Sequence, residues 1–165
     1  MRSSLSIEIA ASPETVFRLA RDPLRWPALL PHYVSAHRLE DAGPGALVSF
    51  IARRPLVPAL GIGLPVAWRS RTWDEPDRRR LRFRHQGGAT NGMDVTWRIE
   101  PGAMGVGTRV TIEHEFSPRV AAWARFIDRL FTRPIAGRTL ATFKLLAEAI
   151  GPGTSTGHEP TNPPS

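Results

Sequence analysis

Leu5, Ile7 and Ile9 alternate with Ser6 and Glu8, the two-residue period of a half-buried strand. Ser12-Pro13-Glu14 then opens a helix to about Ala20, with Val16, Phe17 and Leu19 apolar. Asp22-Pro23 starts a second short helical segment that carries Trp26 and ends at Pro31. Residues 33–40 form a predicted strand, 41–45 a turn and 46–53 the next strand. Four further strand-like segments cover 66–74, 80–86, 92–100 and 108–116, with turns at 75–77, 87–88 and 101–107. Short strands at even spacing with tight turns predict an antiparallel meander.

The period changes after residue 117. Trp123, Phe126, Ile127, Leu130 and Phe131 recur at three- and four-residue steps. Leu140, Phe143, Leu146 and Ile150 resume the stripe, with the small Ala147 on the same side. Ser117 and Pro118 suit a helix start, and Gly151-Pro152 suits a stop. Pro134 cannot donate an amide hydrogen and predicts a kink or a second helix start. A stripe this apolar cannot stand alone. The pattern therefore predicts an α+β fold in which a curved antiparallel sheet of about seven strands closes around a long C-terminal helix. Two short helices follow the first strand, and a space can remain between helix and sheet.

Two segments fall outside that pattern. Residues 54–65 (RPLVPALGIGLP) are apolar but rich in Pro and Gly, and read as a long loop. Such a loop exposes its apolar side chains for binding, as a gate or a membrane contact, or packs them down as core. Residues 151–165 are a polar Pro/Gly/Ser/Thr tail that cannot bury surface and is expected to be disordered, leaving one domain over 1–150.

Composition narrows the functional classes. The chain has 165 residues, a net charge of +7 and a pI near 11.4. Arginine supplies nearly all of the positive charge, since Lys144 is the only lysine. Such a chain suits phosphates, an acidic partner or an anionic membrane, or simply carries a solvated basic surface. The absence of cysteine excludes disulfides and thiolate chemistry. No secretory h-region or membrane-spanning apolar run is visible, so the expected location is cytoplasmic.

Alternation sorts the strands into faces. Val110, Ile112, His114 and Phe116 share one face of the last strand. Met93, Val95, Trp97 and Ile99 share a face of the preceding one, and Leu81, Phe83 and His85 of the one before. Trp68, Ser70 and Thr72 form the inner set of 66–74, which keeps Arg69 and Arg71 outside with Arg82, Arg84, Arg98 and Arg109. Two histidines, His85 and His114, are thereby placed inside.

The order β-α-α-β-β-β-β-β-β-α resembles the helix-grip plan of the START-like superfamily, SRPBCC. SIEIAASPETVFRLARDPLRWPALLPHYVSAHRLE is similar to the family's opening, with a Pro-led helix, D-x-x-x-W-P and a Tyr entering the second strand. MDVTWRIEPGAMGVGTRVTIEHEF is similar to its closing hairpin. The likeness covers roughly residues 4–148 and points to single-domain polyketide aromatase/cyclases and a ubiquinone-binding branch. It implies that Tyr33, Trp68 and Trp97 line a pocket, with His114 at a polar pocket position. The arginine often named for cyclisation falls at or beside Thr72, and the nearest arginine, Arg71, is predicted to point outward.

A cavity walled by Phe50, Trp68, Phe83, Met93, Trp97, Ile112, Phe126 and Leu130, with Ser70 and Thr72 adding hydroxyls, suits a flat apolar ligand. The same residues are also ordinary core formers. His114 and His85 are candidate general acid and base, and Tyr33 a candidate donor to a carbonyl. Hydrogen-bonded core histidines explain the same pattern. No carboxylate is placed inside and no HxH or HExxH spacing occurs, so neither a metal nor a cofactor is expected. Three readings follow. The first is a binding protein for a polyketide, isoprenoid, quinone or lipid. The second is an aromatase/cyclase closing a poly-β-ketone borne by an acyl carrier protein. The third is a membrane or protein adaptor using residues 55–65 with Arg125, Arg129 and Arg133. Nucleic acid is not expected, because the outer arginines lack interleaved aromatics apart from Trp73.

Overall fold

The computed structural model describes residues 2–57, 62–118 and 121–151. Strand β1 (Arg2–Ile9) leads into helix α1 (Pro13–Ala20), a 3-10 turn over Pro23–Arg25 and helix α2 (Trp26–Leu29). Six strands follow: β2 (Tyr33–Ala42), β3 (Gly45–Val57), β4 (Ile62–Glu75), β5 (Arg80–Gln86), β6 (Asp94–Pro101) and β7 (Thr108–Glu115). The chain then forms α3 (Ala121–Ile127), a π-helical turn over Asp128–Thr132 and α4 (Arg133–Ile150). All seven strands join one antiparallel sheet in the order β1-β7-β6-β5-β4-β3-β2. The sheet curves around α4, which packs against β1, β3 and α1. This is the α+β architecture that the periodicities predict, and it follows the helix-grip plan that the resemblance implies.

Local chemistry explains the elements. The Ser12 hydroxyl accepts the Thr15 N–H at 3.2 Å, so α1 begins with a side-chain cap, and its Val16, Phe17 and Ala20 are buried. Such a cap contributes about 1 kcal/mol. Asp22 caps the following turn by accepting the Leu24 N–H at 3.1 Å.

The expected loop over 54–65 is different in the structure. Arg53 to Val57 and Ile62 to Pro65 continue β3 and β4 as a hairpin, with Arg53 opposite Pro65 and Pro55 opposite Gly63. Both prolines sit where pairing is one-sided. β2 stops facing β3 at Ala52, and β5 begins facing β4 only at Arg69. Arg53 gives its N–H to the His32 carbonyl, so this register turns the proline nitrogens away from the ladder. Residues 58–61, including Leu60, and the tail 152–165 lie outside the described residues.

The break expected at Pro134 is a π turn just before it. The Thr132 hydroxyl donates to the Ile127 carbonyl at 3.4 Å, five residues back, and Arg133 pairs with Asp128 at 3.1 Å. The wider turn makes room for a ring that would otherwise press on the carbonyl four residues earlier. Ser3 donates to Asp128 at 2.6 Å and ties this turn to β1.

The single apolar stripe expected over both helices is also corrected. Ile127, Leu140, Phe143 and Ala147 are buried, whereas Trp123, Phe126 and Ile150 are exposed. The π turn rotates α3 relative to α4, so one uniform period does not describe both.

Candidate ligand cavity

A cavity of about 640 Å³ lies between the concave sheet and α4. Phe50, Trp68, Phe83, Met93, Trp97 and Ile112 line it, as the strand alternation predicts, and so do Tyr33, His85 and His114. Its mouth opens where β4 and β5 part beyond the Arg69–Gln86 pair, beside the exposed residues Gln86 to Ala89. Helix α3 borders that turn, for the Trp123 indole donates to the Ala89 carbonyl at 3.1 Å.

Four expected wall residues lie elsewhere. Phe126 is 47% exposed and stacks on Trp123 with ring centroids 5.3 Å apart, because α3 turns it outward. Leu130 is half-buried in the π turn and is not part of the wall. Ser70 and Thr72 point inward from β4, yet each hydroxyl donates to a backbone carbonyl, Arg71 and Ala46 respectively, at 3.3 Å. Ser70 is fully buried off the wall, and Thr72 borders a different cleft.

Sequence reasoning missed part of the enclosure. Thr132, Ile135, Ala136 and Thr139 line it from the helical side. They recur at three- and four-residue steps, the same signal that marked Leu140 and Phe143, but two are threonines and one is alanine. Small side chains on that face are what keep the space open. Trp26 is the second omission. It is 3% exposed, and its ring lies 5.2 Å from Tyr33, 5.3 Å from Trp97 and 5.6 Å from Phe83. Its indole N–H is satisfied by the Ala20 carbonyl at 3.0 Å, so the ring is fixed by α1.

The histidines and the tyrosine deep in the wall are neutral. His114 is buried, and burial lowers its pKa to about 4; nearby Asp128 opposes that shift and Arg133 adds to it. Its Nδ1 is buried without a hydrogen-bond partner among the described residues. His85 stacks on Trp68 with centroids 6.1 Å apart, and its Nδ1 lies 2.8 Å from the Thr90 hydroxyl. Burial, then the neighbouring His114, lower its pKa to about 3. Burial pushes the Tyr33 phenol above its usual range, while its hydrogen bond to Thr139 works against that shift.

Thr139 donates to the Ile135 carbonyl at 2.8 Å, so its oxygen is left to accept from Tyr33 and from His32 Nε2 at 2.9 Å. That arrangement makes His32, which had no role in the sequence reading, a second buried neutral imidazole behind Tyr33. Burial, with Arg138 nearby, holds its pKa at about 4. Arg69, exposed at the mouth, is the one ionised side chain on the described lining. The cavity can therefore hold an apolar ring system and offer it a phenol and imidazoles as hydrogen-bonding groups.

Comparison with known proteins agrees with this architecture. The Zhui aromatase/cyclase from Streptomyces sp. R1128 superposes with a TM-score of 0.73 at 18% identity, over 92% of this chain and 98% of that one. A START superfamily protein from Mycobacterium smegmatis gives 0.66 at 15% identity, over 90% and 98%. The di-domain ARO/CYC BexL of the BE-7585A biosynthetic pathway gives 0.69 at 22% identity over 92% of this chain, which spans 48% of that protein. A search of curated proteins by sequence returned no match. At these identities the structural likenesses speak for the fold. The family model described as polyketide cyclase/dehydrase and lipid transport matches residues 1–148, and with its helix-grip fold and the cavity between sheet and helix this chain belongs to that family of ligand-binding proteins.

Proposed function

We propose that the protein is a cytoplasmic carrier for a flat, apolar, carbonyl-bearing molecule of the polyketide, isoprenoid, quinone or lipid kind. The observation that carries this reading is the aromatic cavity of about 640 Å³ with only neutral polar groups deep in its wall. The bare Nδ1 of His114 is a ready partner for a ligand hydroxyl or carbonyl according to its tautomer, while the Tyr33 phenol, whose hydrogen goes to Thr139, offers its oxygen to a ligand donor. A general base works best with a pKa near the working pH, and imidazoles at about 3 and 4 are far below it. That favours orientation of a ligand over proton abstraction. At the mouth, exposed Trp123 and Phe126 with exposed Arg125 and Arg129 on one helical stretch suit loading from an anionic membrane surface.

A second reading has one observation in its favour. His85 and His114 line the same cavity, and an aldol cyclase needs two such groups, one as oxyanion donor and one as proton carrier. The substrate would then be a poly-β-ketone presented by an acyl carrier protein.

Native mass spectrometry of the protein purified from its own host tests the carrier. A co-purified apolar small molecule is expected, and an empty, non-binding protein would sink it. His114→Gln separates the two readings. A carrier keeps its affinity within about tenfold, roughly 1.4 kcal/mol. A cyclase loses about a hundredfold or more in turnover of a short poly-β-ketone analogue. If the wild type binds that analogue without turning it over, the enzyme reading falls.

A further inference from the structure

A second cleft, of about 510 Å³, lies toward the other end of the sheet. The main cavity uses β4 from Val66 to Arg69, and the cleft uses β4 from Thr72 to Asp74. Phe83 borders both, so its ring is a shared wall. Arg18, Arg21, Arg25 and Arg38 stand exposed on the rim of the cleft. The first three recur at steps of three and four, and the turn between α1 and α2 keeps them on one side.

The two aspartates among them are already engaged. Asp22 accepts the Leu24 N–H at 3.1 Å, and Asp74 holds Arg21 at 2.7 Å. Four guanidinium groups against two carboxylates leave the rim at +2. Arg38 reaches Asp41 at 2.9 Å, but both side chains are more than half exposed, and such pairs are weak. Arg71 adds a further cation at the edge. Its guanidinium lies beside Gly43, which lines the cleft, and its Nε is buried without a hydrogen-bond partner among the described residues. Beneath the rim the floor is apolar and buried: Ala46, Val48, Leu81 and Phe83, with the Thr72 hydroxyl turned into the backbone.

The geometry points to a binding site for a small amphiphilic anion. Its carboxylate or phosphate head meets the guanidinium forks of the rim, which match planar or tetrahedral oxygens in pairs. Its short apolar stem lies on the floor. This site is separate from the ligand cavity and does not rest on the function proposed for it.

The test is titration of the isotope-labelled full chain with hexyl phosphate, hexanoate and inorganic phosphate at low salt, followed by backbone amide NMR. The two hexyl-chain probes distinguish a phosphate from a carboxylate head. At least one of them is expected to shift the amides of Arg21, Asp22, Leu24, Arg25, Gly43, Gly45 and Ala46 and to leave 87–93 at the main mouth in place. Arg18→Gln/Arg25→Gln, whose side chains are exposed and whose fold is checked by circular dichroism, is expected to bind roughly tenfold or more weakly through loss of charge-assisted hydrogen bonds. Shifts confined to residues 87–93, no shift at ~5 mM probe, or equal binding by the variant would overturn the site. Inorganic phosphate binding as tightly as hexyl phosphate would overturn the role of the floor.

Discussion

A buried imidazole gives up its solvation, and this protein buries His32 and His114 almost completely while it half-buries His85. Each is held neutral, with a pKa of about 3 or 4 against an ordinary 6.5. The consequence for stability has a definite sign. Between pH 6.5 and about 4 the unfolded chain takes up protons that the folded chain refuses. Stability is therefore full above about pH 6.5 and falls as the pH drops toward 4, by up to roughly 3 kcal/mol for each of His32 and His114. Urea unfolding at pH 7 and pH 4.5 checks this, and His114→Gln is expected to make the slope shallower by about one proton. The inward placement of His85 and His114 was legible, because strand alternation depends only on neighbours in the chain. His32 was not, because its partner Thr139 is 107 residues away.

Elements carry a different kind of constraint. The β6–β7 turn closes through Gly107, whose φ of +66° disfavours other residues and whose hydrogens face the Ile9 carbonyl. Gly107→Ala would place a methyl 2.5 Å from that oxygen, and a loss of at least about 2 kcal/mol is expected in denaturant unfolding. A near-neutral result would mean that the β1 end gives way easily. At the helical end, the π turn over Asp128–Thr132 sets the cavity roof, because it directs Thr132, Ala136 and Thr139 inward and Phe126 outward. Pro134 made a break legible. The kind of break was not, since a kink, a new start and a π turn all satisfy a missing amide hydrogen. The hairpin over 54–57 and 62–65 was misread for a related reason. Its prolines rule out only a two-sided ladder, and whether a ladder is two-sided depends on where β2 and β5 end.

For the molecule as a whole, the question is whether the cavity is needed for folding or for a ligand. A protein that kept the space open only through imperfect packing would gain from filling it. Ala136→Phe puts a ring into the cavity from α4. The Tm is expected to stay within a few degrees of wild type or rise, while retention of the co-purified ligand is lost. A strongly lowered Tm with retained ligand would mean that the space beside Ala136 is not the binding volume. The addition of ligand to wild type is expected to raise the Tm in proportion to the logarithm of its concentration above Kd.

Periodicity by itself determined the strand count, the long C-terminal helical region, the inward face of the last four strands and the aromatic character of the wall. These follow from local rules: side chains alternate along a strand and repeat every three or four residues along a helix. The tertiary structure alone decided which inward residues meet empty space. Ser70 and Thr72 face in, but the backbone takes their hydroxyls. Trp26, on a four-residue helix with no period to read, becomes the ring that touches Tyr33, Phe83 and Trp97. Small residues on α4 are silent in a hydrophobic pattern, yet they hold the cavity open because nothing fills the volume they leave. A void is a property of the distance between two surfaces, and that distance is set only when sheet and helix pack.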